Sequence, residues 1–87
     1  MDTATEVFEV PERVVIAPST GRVALPPMAT RAEEGEFVLT GESVATVRVG
    51  EGEVQVRTAF QGWLMGFLVL DGQPIRSGEP VAWLRKA

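Results

Sequence analysis

The chain has no cysteine, no histidine, no tyrosine and a single lysine, Lys86. The lack of cysteine excludes a disulfide framework and a thiolate metal site. The lack of histidine removes the commonest general base and the commonest metal ligand. No apolar run approaches the ~18 residues that a spanning helix needs. Positive charge is scarce: eight basic residues stand against twelve acidic ones, a net charge of −4. The electrostatic footprint of a nucleic-acid partner is therefore absent, and an anionic membrane surface repels such a chain. The opening Met1-Asp2-Thr3-Ala4-Thr5-Glu6 has neither a basic n-region nor an apolar h-region, so no secretory signal is expected. The expectation is a cytoplasmic protein, with no membrane, nucleic-acid or metal partner. Seven arginines to one lysine fit a bacterial, GC-rich source.

What remains is a β-forming chain. Its 87 residues make one domain, and 45% of them are hydrophobic, the share of an ordinary globular protein. Thirteen valines and seven threonines favour a pleated, half-buried surface, while nine glycines and six prolines punctuate turns. Residues 1–12 are polar and acidic around an alternating Val7-Phe8-Glu9-Val10, and read as a flexible or edge-strand N-terminus. Strands are expected at Arg13–Ala17, Arg22–Leu25, Phe37–Leu39 and Val44–Val49 in the first part. Val54–Arg57, Trp63–Met65, Phe67–Leu70 and Pro80–Leu84 follow, with Gly66 breaking the apolar stretch around it. The folded domain is expected over 13–85, with 86–87 as a tail. Strict alternation on both sides of Gly50-Glu51-Gly52-Glu53 is a strong hairpin signal. No helical periodicity runs beyond one turn.

The two halves match each other. Residues 35–47 read GEFVLTGESVATV and residues 72–84 read GQPIRSGEPVAWL, aligned without a gap. Two units are too few for a propeller or solenoid. They suit two half-sheets related by a pseudo-twofold axis near the central hairpin, each burying the other's apolar face.

These halves resemble the biotinyl/lipoyl carrier domain family, across residues 13–85. Ala17-Pro18-Ser19-Thr20-Gly21 is similar to the family's A-P-x-x-G opening. Ala59-Phe60-Gln61-Gly62, followed by Asp71-Gly72-Gln73 and Ser77-Gly78-Glu79-Pro80-Val81, is similar to its second half. The resemblance implies an all-β fold, a flattened β-barrel or barrel-sandwich hybrid of two pseudo-twofold-related half-sheets joined at a central hairpin. It also places Glu51, flanked by Gly50 and Gly52, where the family carries its modified lysine between two methionines. Biotin or lipoate is joined there as an amide, which needs a primary amine. A carboxylate cannot form that bond. No cofactor, no catalytic residue and no enzymatic activity are therefore expected. The resemblance implies a protein-binding or assembly module of a carboxylase-type or dehydrogenase-type complex. The alternatives are a carrier modified elsewhere, for which Lys86 is the only amine side chain, or a small-ligand-binding domain using the clefts beside the hairpin.

Candidate partner-binding residues are Trp63, Met65 and Leu70, which stand where the family commonly has polar residues. If Leu64 faces the core, the period of two turns Trp63 and Met65 outward; the alternatives are a bulge at Gly66 that turns some of them inward, or cover by the N-terminal strand. Pro27 and Met28 join them. They lie in Leu25–Thr30, the place where some carriers insert a thumb that touches biotin; an ordinary surface loop is the plain alternative. Trp83 is expected in the core. Glu51 and Glu53 on one turn, and Glu33, Glu34 and Glu36 nearby, read as solvated carboxylates rather than a cation cage. Arg48 and Arg57 are placed to pair across strands with Glu53 or Glu51. Oligomeric state stays open.

Overall fold

The computed structural model describes residues 12–27 and 35–86. The expectations for residues 1–11, Met28, Glu33 and Glu34 fall outside these residues. Eight strands follow in order: β1 Glu12–Ile16, β2 Gly21–Ala24, β3 Phe37–Val38, β4 Ser43–Val49, β5 Gly52–Arg57, β6 Gly62–Phe67, β7 Pro74–Ile75 and β8 Pro80–Lys86. They form two antiparallel four-stranded sheets, ordered β1-β8-β6-β3 and β5-β4-β2-β7. No helix occurs among the described residues. The all-β reading holds, and the flattened barrel takes the form of an open sandwich: neither sheet closes on itself.

The repeat is visible as topology. Exchanging β1 with β5, β2 with β6, β3 with β7 and β4 with β8 turns one sheet order into the other. The registers obey the same exchange: Val23↔Val47 and Arg22↔Arg48 in one sheet answer to Leu64↔Leu84 and Trp63↔Arg85 in the other. Each sheet takes two strands from residues 12–49 and two from residues 52–86, so the halves interlock. Neither half can form a sheet pair without the other.

Eight of the fourteen buried apolar residues are valine, which fits strands covered on one face only. Val23, Val47, Leu64 and Leu84, the two equivalent cross-strand pairs, are at most 2% exposed and fill the middle of the sandwich. Two glycines allow the strands to come together there. A Cβ added to Gly21 would stand 2.1 Å from the Arg48 carbonyl oxygen, and one added to Gly62 would stand 2.3 Å from that of Arg85. No side chain fits against backbone at that distance.

Five details depart from expectation. The strand expected over Phe67–Leu70 is not formed, since β6 ends at Phe67. Gly66 does not break its strand: β6 runs through it, and the register shifts between Leu64 and Gly66 so that Met65 is the extra residue of a β-bulge. Pro74–Ile75 is a short strand, paired with β2, between the strands expected at Phe67–Leu70 and Pro80–Leu84. Lys86 belongs to β8 and pairs with Gly62, because the ladder extends past Leu84; it is not in a tail. Thr58, not Ala59, is the structural equivalent of Ala17. Gly78 N donates to Ala17 O and Ala17 N to Glu79 O, just as Gly41 N donates to Thr58 O and Thr58 N to Glu42 O. Thr58 is 2% exposed, and its hydroxyl is satisfied by the backbone of Phe60.

Candidate functional site at the hairpin apex and on the outer sheet faces

β4 and β5 are joined by a two-residue turn, Gly50-Glu51, between the paired residues Val49 and Gly52. Gly50 has φ +60°, whereas no residue other than glycine among those described has positive φ. Those signs suit the type II′ hairpin turn, whose first central position wants glycine. The turn leaves Glu51 exposed at the apex. Directly below it, Arg48 lies opposite Glu53, with Nε and Oε2 3.8 Å apart and both side chains more than half exposed. A solvated pair of this kind contributes ~0.2–1 kcal/mol at most. Arg57 does not pair with an acid; its Nη1 donates to the Gly41 carbonyl at 2.9 Å. Among the described residues, no three His, Cys, Asp or Glu side chains are grouped to hold a metal ion.

The only amine side chain is far from this apex. β5 descends from it to Thr58, the chain crosses to Gly62, and Lys86 pairs with Gly62. A six-residue strand rises about 20 Å, so Lys86 stands at the foot of the sandwich. The apex itself presents a carboxylate between two glycines.

The outer faces of the two sheets differ, although the fold makes them equivalent. On the β5-β4-β2-β7 sheet the exposed or half-exposed positions include Arg22, Thr46, Arg48, Gln55 and Arg57. On the other sheet Trp63, Trp83, Arg85, Val14 and Ile16 take the same places. Phe37 on β3 completes this second face, and its ring meets Trp63 edge to face, with centroids 5.1 Å apart and planes at 75°. Val14, Ile16, Phe37 and Trp63 are each 39–51% exposed. Trp83 is half-buried on this outer face and not in the core, because its ladder neighbour Leu84 already points inward.

The candidate docking residues are thus divided. Trp63 is exposed on the apolar face, and Met65, the extra residue of the bulge, is half-buried. Leu70 is 76% exposed but lies elsewhere. Its turn is fixed to the opposite sheet, through Gly72 N donating to Val23 O and Leu25 N donating to Asp71 Oδ1. Pro27 is exposed beside a groove of about 290 Å³ on that same sheet. Val14, Ile16, Phe37 and Trp83 were not singled out as surface residues by the sequence reading. One signal was present: the repeat aligns Trp83 with Thr46, and a site that accepts threonine in one half is not required for the core in the other.

No protein-family model matches the chain, and no curated protein matches it. Solved structures do. The chain superposes on a segment of the Kluyveromyces lactis urea carboxylase with a TM-score of 0.73 and 22% identity. The fold is shared with a carboxylase segment. The match covers 88% of this chain and 6% of that one, so the chain corresponds to a small part of the enzyme's length. No helix of the described residues is long and apolar enough to cross a membrane.

Proposed function

We propose that this domain is a non-enzymatic docking module built on the carrier fold: a cytoplasmic component of a carboxylase-type or dehydrogenase-type complex that carries neither biotin nor lipoate at its hairpin. The observation that carries this reading is the apex. A two-residue turn presents Glu51 where an acyl-accepting amine is needed, and Lys86 stands at the other end of the sandwich. A carboxylate has no amine nitrogen with which to form the stable amide, and no spacer of chain brings Lys86 to the apex. The shared fold with a carboxylase segment supports the class of complex. The apolar outer face around Trp63 supports docking, since exposed apolar patches on small proteins mark interaction sites and tryptophan is prominent in interface hot spots.

The test has two arms. Intact mass is measured after co-expression with a biotin ligase and with a lipoate ligase; the unmodified mass is expected, and a biotinyl or lipoyl increment overturns the reading. The immobilised domain is then offered purified subunits of biotin-dependent carboxylases and 2-oxo-acid dehydrogenases. Retention of one subunit, weakened at least tenfold by Trp63→Ala, is expected. Retention of none, or retention indifferent to Trp63→Ala, removes the docking role.

A further inference from the structure

The groove on the β5-β4-β2-β7 sheet lies over a position whose equivalent in the other half carries a half-buried tryptophan. Its floor is Thr46, flanked on its own sheet by Ala24 on β2 and Gln55 on β5. The equivalent of Thr46 is Trp83, flanked by the Met65-Gly66 bulge on β6 and by Val14 on β1. A tryptophan in one half stands where the other half has a threonine, and their partners across the ladder, Gly66 and Ala24, are both small. The backbone ladders are otherwise the same, so the smaller side chain leaves an opening of about 290 Å³. That is at the lower end of the ~300–1,000 Å³ usual for ligand pockets.

The lining has a composition suited to a flat ring with one polar edge. Pro26 and Pro27 supply an apolar wall, and the Arg48–Glu53 pair closes one end. At the other end the Ser43 hydroxyl lies within hydrogen-bond reach of both the Ala45 carbonyl and the Gln55 side-chain amide, which gives the groove a polar edge. An apolar wall with a few convergent polar groups is the usual make-up of a small-molecule site.

We propose that the groove over Thr46 binds a planar aromatic group of the indole class, in the volume that Trp83 fills in the other half. The proposal is independent of the docking role of the opposite sheet. The same indole chemistry comes from a free small aromatic or from a tryptophan side chain of a partner peptide.

Amide chemical shifts of the full chain are followed by NMR during titration with indole, with N-acetyl-tryptophanamide and with leucinamide. Indole is expected to move the signals of Ala24, Thr46 and Gln55, with leucinamide at least tenfold weaker. Thr46→Trp plugs the groove with the side chain that its counterpart carries, and is expected to abolish the response while the remaining spectrum stays folded. Ala24→Met fills the opening from the neighbouring strand and serves if Thr46→Trp does not fold. Response to indole alone assigns the groove to a free aromatic; response to both aromatic probes admits a tryptophan side chain. Shifts clustered elsewhere, equal responses to leucinamide and indole, or binding that survives both filling variants would overturn the proposal.

Discussion

Glu42 and Glu79 do the same work in the two halves of the sandwich: each side chain accepts a hydrogen bond from the amide three residues before it, Leu39 N at 2.6 Å and Arg76 N at 2.8 Å. The main chain closes the same turn in return, Glu42 N to Leu39 O at 3.0 Å and Glu79 N to Arg76 O at 3.0 Å. Gln73 repeats the device on Leu70 N at 3.0 Å. Glu42→Ala and Glu79→Ala are each expected to lower stability by about 1 kcal/mol, the net worth of one hydrogen bond with some gain from the charge. The two sites share no partner, so the losses should add. Glu→Gln at either site keeps the acceptor, as Gln73 does, and should lose less than Glu→Ala in urea melts. Equal losses for Gln and Ala would show that the side-chain oxygen is not the stabilising group.

The glycines separate into two kinds with different costs. Gly21 and Gly62 are hemmed in by carbonyl oxygens of the neighbouring strand, and a methyl group has nowhere to go. Gly21→Ala and Gly62→Ala force strand separation, at the upper end of overpacking penalties, about 3 kcal/mol or more each. Gly50 instead has φ +60° and open space around it. Gly50→Ala should cost about 1 kcal/mol through backbone strain alone. Thermal melts of the three variants rank these effects, and Gly50→Ala proving the most damaging would contradict the ladder geometry.

Much of this architecture could be read from residues whose constraints are local. Gly41 and Gly78 precede Glu42 and Glu79 in both halves, and the turn chemistry they share is written in adjacent positions. The hairpin was equally plain, because alternation and a glycine pair specify it without help from the rest of the chain. The outer faces were harder. Trp83 reads as a core residue because it sits at an apolar position of the family pattern; only the ladder shows that Leu84 takes the inward place beside it. Leu70 groups with Trp63 because both stand where the family commonly has polar residues, yet a bond from Gly72 to Val23, a residue far away in the chain, holds its turn to the other sheet. Met65 turned on a one-residue bulge, which alternation does not reveal.

The apex offers a gain-of-function test. The family pattern would put methionine on both sides of a lysine, but Gly50 adopts a left-handed conformation that penalises a side chain. Glu51→Lys with Gly52→Met, keeping Gly50, is therefore the better graft. It should fold with little loss of stability and become modified on co-expression with a biotin or lipoate ligase, read as the corresponding mass increment. The wild-type chain should show none. A graft that melts like the wild type but stays unmodified would mean that ligase recognition needs surface beyond the turn, and would weaken the link to carrier ancestry.

Trp63 should separate folding from docking. Its ring is 40% exposed and packs on Phe37 across the β3–β6 pair. Edge-to-face aromatic pairs contribute ~0.5–1.5 kcal/mol beyond area burial, so Trp63→Ala should destabilise by only about 2 kcal/mol, far less than a buried core truncation such as Leu64→Ala at ~3–4 kcal/mol. Arginine is a sharper probe, because Arg22 holds the equivalent position in the other sheet and the fold accepts it there. Trp63→Arg should keep a cooperative melt while it removes the apolar centre of the face. Binding of a hydrophobic dye such as ANS should fall, along with retention of any complex subunit. If Trp63→Arg instead unfolds the chain, Trp63 is a packing residue and the difference between the two faces is structural. If it folds and retention is unchanged, docking takes place on another surface.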